Sequence, residues 1–413
     1  MSSNSSPNSA DVKNLIELAE SKIDSSAERL NDLSLDIWNH PETNFKESHA
    51  HKVLTDFLEN EGFMVERHFV LETAFRATFG CDDTGPNICI MCEYDALPGI
   101  GHACGHNLIA EAGVAAGIGV KATLQARGNK YGKVTVLGTP AEEGGGGKKF
   151  LIDAGAFDDV TVAMMVHPSK YNILRPIYLS MAILVIKYDG YAAHAAAVPW
   201  EGVNALDAAV MCYNAIYAMR QQMKPTWRIH TIITNGGAAV NVIPDKAELT
   251  CNIRALDEAD LNILKKKLIA CAEGAAATSG CKVEWEQSSS FASLISNNQL
   301  ISLYEKHAKN LGWSCDLNLP AGTKMTGSSD VGNVSYVVPT IHPEYKICDG
   351  ASYHTPDFTA QTGACRAQAP TLNQGKTLAF IAIELLHPSG QETLDKIRQE
   401  FEEKVNTLSP PKY

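Results

Sequence analysis

The chain has 413 residues, 45% of them hydrophobic and 20% charged, enough to bury a large core and to divide into two units. Its 35 basic and 47 acidic side chains leave a formal charge of −12, which excludes the clustered Lys and Arg of a sequence-independent nucleic-acid binder. Eleven cysteines without regular spacing read as reduced thiols, no apolar run is long enough to span a bilayer, and the polar start MSSNSSPNSA lacks the order of a secretory signal, so the expected address is the cytosol.

After the Ser/Asn-rich start, Leu15, Ile16, Leu18, Ala19, Ile23, Leu30, Leu33, Ile37 and Trp38 recur at helical spacing and predict two helices that stop at His40-Pro41-Glu42. A further helix is expected near 47–61. Short β-type runs then alternate with helical ones: 87–92, a helix over about 108–126, 134–138, a helix from about Lys148, and 162–166. That rhythm predicts an α/β layer with a mostly parallel sheet. Residues 179–290 have their own order, with strands at 180–188, 228–233, 247–254 and 282–286 and helices at 203–222 and 258–278. This is the βαββαβ order of a ferredoxin-like unit. The helix-then-strand rhythm returns from Asn298, and an apolar helix near 375–386 is expected to close the chain. The predicted architecture is one discontinuous α/β domain, 1–178 with 291–413, and a compact domain inserted at 179–290.

Four short segments carry chemistry. Asp95 falls just past the end of the apolar run 87–92, where α/β proteins place ligand sites. Cys104 and His106 follow in a Gly-rich loop that opens a helix, and thiolate with imidazole suits Zn2+ better than Mg2+ or Ca2+. Taken alone the pair is equally well a structural thiol beside a helix-capping histidine, and His102 keeps that plain reading. Glu142 and Glu143 stand directly after the run 134–138, where one carboxylate can bind metal and the other accept a proton. An isolated Glu-Glu is more often a solvated turn. The glycines 144–147 precede Lys148-Lys149 without the Ser or Thr of a phosphate loop, so they read as a flexible turn. His167 ends a third apolar run, and His354 lies in the polar loop 349–358. Each has a bland explanation, but their shared strand-end placement argues for one metal site.

These residues resemble peptidase family M20, and more closely its amidohydrolase subfamily. The matching strings are His40-Pro41-Glu42, Asp95-Ala-Leu-Pro98, His102-Ala-Cys-Gly-His106, Gly138-Thr-Pro-Ala-Glu-Glu143, His167-Pro168, Ala193-His194-Ala195, Asn241-Val-Ile-Pro244 and His354-Thr355, in family order over nearly the whole chain. The resemblance implies a catalytic domain with an inserted lid or dimerisation domain, a homodimer, and hydrolysis of an amide bond next to a free carboxylate. It implies that Cys104, His106, Glu143, His167 and His354 hold two divalent ions, Zn2+ in the first place and Mn2+ as the alternative. Glu142 is then the general base and Asp95 the carboxylate that orients a ligand. His194 resembles the histidine that reaches from the inserted domain, often of a partner subunit, to polarise the scissile carbonyl. Its plainer role is a cap for a helix after Pro199. Asn241 and Arg254 resemble positions that grip the substrate carboxylate, a task for which the Arg fork is suited; a surface charge is the alternative for Arg254.

Among members, the run 92–110 is most similar to dipeptidases acting on β-alanyl-lysine and β-alanyl-ornithine products. N-acyl-amino-acid or p-aminobenzoyl-glutamate amidohydrolases are the alternative. The expected partner is thus a small dipeptide or N-acyl amino acid, with no nucleic acid and no membrane. One departure stands out: Asn107 follows His106 where the family has Asp. Asn carries no charge, which motivates a contrasting expectation, a catalytically weak binding or scaffold member. A Cys104 nucleophile is a third reading, which leaves Glu142, Glu143 and His167 without a joint purpose.

Overall fold

The computed structural model describes residues 7–81, 85–320 and 327–408. They form two compact units, the first from residues up to Pro176 with Leu294–Thr407, the second from Ile177–Ser293. The first unit runs α1 (Pro7–Ser25), α2 (Ala27–Asn39), α3 (Ser48–Asn60), β1 (Met64–Arg67), β2 (Phe75–Gly80), β3 (Asn87–Cys92), α4 (His106–Ala126), β4 (Lys133–Gly138), α5 (Gly147–Asp153), β5 (Val162–Met164) and β6 (His167–Ser169). The second contains β7 (Ser180–Asp189), α6 (Ala205–Ala218), β8 (Arg228–Asn235), β9 (Lys246–Ala255), α7 (Glu258–Ser279) and β10 (Lys282–Phe291). The chain then returns through α8 (Asn298–Asn310), α9 (Val331–Val334), β11 (Thr340–Ile341), β12 (Glu344–Lys346), α10 (Pro356–Thr362), α11 (Cys365–Leu386) and α12 (Gln391–Thr407).

The main sheet has the order β1-β2-β4-β3-β5-β11, with β4, β3, β5 and β11 parallel and β1 and β2 added antiparallel at one edge. Every residue of β3 is buried, as a strand covered on both faces requires. Buried α4 packs on β3, and glycine at 113 permits the close approach, since a Cβ there would lie 2.3 Å from Cys92 Sγ. The expected strand 162–166 is cut at Met164. His167–Ser169 instead pairs with β12 in a separate two-stranded sheet, a setting that tolerates Pro168 with its missing N–H.

The second unit is an antiparallel sheet in the order β10-β7-β9-β8, and one face of β9 is buried at every other residue against α6 and α7. Asn204 caps α6 through Leu206 N and Asp207 N, so the helix starts later than its predicted first turn. The helix expected to close the chain differs most. It begins at Cys365, includes Pro370, and is followed by α12. The segment QETLDKIRQEFEEKVNT carries so many charges that only Leu394 and Ile397 are buried, too few for the apolar pattern to show. Among the described residues no helix is long and apolar enough to cross a membrane.

One buried group in α4 predicts a pH dependence of stability. Burial pushes the Glu111 carboxyl up to about 8, although Gln368 Nε2 donates to its Oε1 at 2.5 Å. The unfolded chain releases this proton near the usual 4.5, so between 4.5 and 8 the folded state holds the extra proton and stability falls as pH rises. At about 1.4 kcal/mol for each pH unit between those two values, the full cost is of order 4–5 kcal/mol above that window. Glu111→Gln keeps the acceptor for Gln368 and is expected to raise the thermal midpoint at pH 8 by several degrees, with little gain at pH 4.5. Equal midpoints at pH 8 would refute the assignment.

Candidate metal centre

Cys104 and His106 are placed by the turn between β3 and α4. Gly105 adopts a left-handed φ of +80° there, and a Cβ would fall 2.5 Å from Pro168 Cγ, so this turn lies directly against the His167 strand. Glu142 and Glu143 follow β4. Just before them Ala141 holds φ +62°, a conformation costly for a residue with a Cβ. Glu47 stabilises it: its buried carboxylate accepts from Ala141 N at 3.0 Å, Phe45 N at 2.9 Å and Thr73 Oγ1 at 2.7 Å. His354 is likewise left-handed, at φ +59°, and its N–H donates to Ala103 O at 3.0 Å, tying the 349–355 loop to the Cys104 turn.

Asp95 organises the centre. Its Oδ1 is 2.9 Å from His106 Nδ1, and its Oδ2 accepts from Glu143 N at 2.9 Å. Nδ1–H of His106 is thereby committed to the carboxylate, and the lone pair resides on Nε2. That buried Nε2 has no hydrogen-bond partner; it faces Glu93 Oε2 at 3.5 Å and Glu142 and Glu143 oxygens at 3.9 Å. His167 is fixed in the same sense. Its Nδ1 lies 2.8 Å from the Pro168 carbonyl, so Nε2, 3.4 Å from Cys104 Sγ, bears the lone pair. His354 Nε2 approaches Glu143 Oε1 at 3.5 Å.

Ligand atoms within 4.8 Å of one another form the groups Cys104–His106–His167, Cys104–Glu143–His354 and His106–Glu142–Glu143. The buried His106 Nε2 and Glu143 Oε1 lack a hydrogen-bond partner, and with Cys104 Sγ and His167 Nε2 beside them this mix of sulfur, imidazole and carboxylate fits a divalent cation. Burial, with Glu143 next, holds the Cys104 thiol well above its ordinary range, opposite to the shift a cysteine nucleophile needs. Burial, reinforced by Glu93 and Glu143, also pushes Glu142 well up, the direction that suits a carboxyl exchanging protons.

Three neighbours had no assigned role in the sequence. Lys148, fully buried, places Nζ 2.5 Å from Glu93 Oε1 and 2.6 Å from Asp330 Oδ1, while its backbone N–H donates to Asp330 Oδ2 at 3.0 Å. Glu93, Glu142 and Asp330 also bring oxygens within 4.8 Å of one another, so Lys148 supplies the positive charge among three buried carboxylates. Only the Glu93-Tyr94-Asp95 spacing at a strand end hinted at this; the partners of Lys148 are 55 and 182 residues away.

Asn107 is turned away from this cluster. Its Nδ2 donates to Ser34 Oγ at 3.1 Å and to the Thr362 carbonyl at 3.0 Å, joining α4 to α2 and α10. A carboxylate cannot donate either bond. His102 is a buried packing residue, with Nε2 3.1 Å from Ile37 O. The remaining predicted residues belong to the second unit. There His194 Nδ1 accepts from Ala196 N and Ala197 N at 3.2 Å, capping its own turn rather than the 3-10 turn after Val198. With Nδ1 an acceptor, the proton of the neutral ring sits on Nε2 as a donor. His194 bridges to Val242, and Asn241 O accepts from Ala195 N at 3.0 Å, so His194 and Asn241 lie side by side. Arg254 is half-buried on β9, opposite Arg228 of β8.

Residues 181–279, inside this second unit, match the peptidase dimerisation domain of the M20 type. The Xaa-Arg dipeptidase of Mus musculus is 44% identical over 407 residues, covering 96% of this chain and 94% of its own. One of the p-aminobenzoyl-glutamate hydrolase chains of Escherichia coli (strain K12) is 28% identical, with 96% of each chain covered. In fold the chain is similar to the crystal structure of a dinuclear metal-binding M20 peptidase from Bacillus subtilis, with a TM-score of 0.67, 21% identity, and 87% and 99% of the two chains covered. A parallel-sheet unit with thiol, imidazole and carboxylate donors at its strand ends, joined to a ferredoxin-like unit, is the build of a hydrolase of this class. The chain belongs to the M20 peptidase family.

Proposed function

We propose that the protein is a metal-dependent dipeptidase that releases a C-terminal basic residue, lysine, ornithine or arginine. The observation that carries this is the interlocking set of ligand groups that brings together Cys104, His106, Glu142, Glu143, His167 and His354. Of these, all but Glu142 are assigned to hold two divalent ions, which when bound supply Lewis acidity to the scissile carbonyl and acidify the attacking water. Glu142 takes the proton of that water as the C–O bond forms and returns it to the amine as the C–N bond breaks. Asp95 keeps His106 and the Glu143 backbone in place. His194 is assigned to donate Nε2–H to the carbonyl oxygen, and Asn241 and Arg254 to bind the substrate carboxylate. The matched dimerisation domain supports a homodimer.

The basic-residue preference combines the motif run 92–110 with the 44% identical Xaa-Arg dipeptidase. The experiment is a panel of β-alanyl-lysine, β-alanyl-ornithine, Xaa-Arg dipeptides, N-acetyl amino acids and p-aminobenzoyl-glutamate, run before and after EDTA. The expected result is the highest kcat/KM on the basic dipeptides, lost on chelation and restored by Zn2+ or Mn2+. A best rate on p-aminobenzoyl-glutamate would transfer the assignment to that amidohydrolase class. EDTA-resistant cleavage would remove the metal from the mechanism.

A further inference from the structure

On the surface of the first unit, apart from the centre above, a second constellation of ligand-type side chains occurs at the corner between α2 and α3. Asp36 and His40 stand four residues apart at the end of α2, which brings both side chains to one face. His49 is the second residue of α3. Asp36 Oδ1 lies 3.0 Å from His40 Nδ1 and 3.1 Å from His49 Nε2, and the two imidazole centroids are 4.2 Å apart. In the free protein Nδ1–H of His40 donates to the Asp36 carbonyl at 2.8 Å, so an ion that takes Nδ1 displaces that proton. Glu42 fixes His49 in turn, because its carboxylate accepts from His49 N at 2.9 Å and Ala50 N at 3.0 Å.

We infer that Asp36, His40 and His49 form an accessory site for a borderline divalent cation, Zn2+ in the first instance, distinct from the catalytic centre. Two imidazoles and one carboxylate are a donor set that Zn2+ takes readily, with a fourth position left to water. Tetrahedral bonds of about 2.0 Å space ligand atoms about 3.3 Å apart, and the contacts of 3.0 and 3.1 Å are already close to that edge. The side chains of Asp36, His40 and His49 are 40%, 55% and 33% exposed, so an ion reaches them directly from solvent. An ion here cross-links α2 to α3 and stiffens the turn between them. That turn bears on the catalytic unit, because the Glu42 carbonyl accepts from Ala96 N at 2.7 Å, next to Asp95.

The test titrates Zn2+ into the full chain after dialysis against enough Zn2+ to fill its tighter sites, read by calorimetry and by the thermal midpoint. Wild-type protein is expected to take up about one further ion per chain with a rise in midpoint. The His40→Gln/His49→Gln variant is expected to lose that step while keeping its circular dichroism and the metal bound at its tighter sites. Asp36→Asn, a smaller change, is expected to weaken the step several-fold. No additional uptake by the wild type, or an unchanged step in the double variant, overturns the inference. The difference of one ion between the two proteins is readable whether or not the catalytic assignment holds.

Discussion

Glu142→Gln is expected to lower kcat by about 10²–10⁴-fold, the usual contribution of a positioned proton-transfer group, while leaving bound metal unchanged. Gln matches Glu in shape and keeps an acceptor oxygen, so the packing of the 140–147 turn survives. What it lacks is the ability to take a proton from water and hand it to the leaving amine. Both carboxylates lie 3.9 Å from His106 Nε2, and they differ in their other contacts: Glu143 has its backbone held by Asp95 and its carboxylate near His354, whereas Glu142 also groups with Glu93 and Asp330. Glu143→Gln should therefore behave differently, losing metal together with activity. Steady-state kinetics paired with elemental analysis distinguish the two. A Glu142→Gln enzyme with near-normal kcat would remove Glu142 as the base.

The adjacent pairs of the centre were legible in the sequence because their chemistry is local. Cys104 with His106, and Glu142 with Glu143, stand together in the chain and follow apolar runs that fold as β3 and β4. Asn107 adjoins His106 in the chain but not in its contacts. On a helix successive side chains diverge by about 100°, so His106 turns to Asp95 while Asn107 turns to Ser34 and Thr362. The contrasting expectation of a catalytically weak binding member gives way to the enzyme reading, which the 44% identical Xaa-Arg dipeptidase supports. Edge strand β1 left little trace because it alternates only between exposed and half-buried residues. Lys148 was beyond reach for a different reason: a lysine after a glycine run reads as a solvated turn until tertiary folding brings Asp330 to it.

Lys148→Met is expected to destabilise the protein by about 3–5 kcal/mol, the cost of leaving buried charge unpaired. Burial opposes the charge on Lys148, yet Asp330 and Glu93 overcome that and hold its ammonium above the ordinary lysine range. Burial pushes Asp330 to about 6 even with Lys148 present. Removing the ammonium leaves Asp330 and Glu93 facing Glu142 without a counter-charge, and the α5 turn loses one of its two ties to Asp330. The distinguishing control is Lys148→Met combined with Asp330→Asn. If the penalty is uncompensated charge rather than lost packing, neutralising Asp330 should return a substantial part of the stability, a coupling that urea unfolding of the four proteins in the cycle measures directly. Additive losses would mean that Lys148 acts by filling space. A single-variant loss below about 0.5 kcal/mol, the range of an ordinary surface substitution, would mean that the buried carboxylates are already protonated and need no partner.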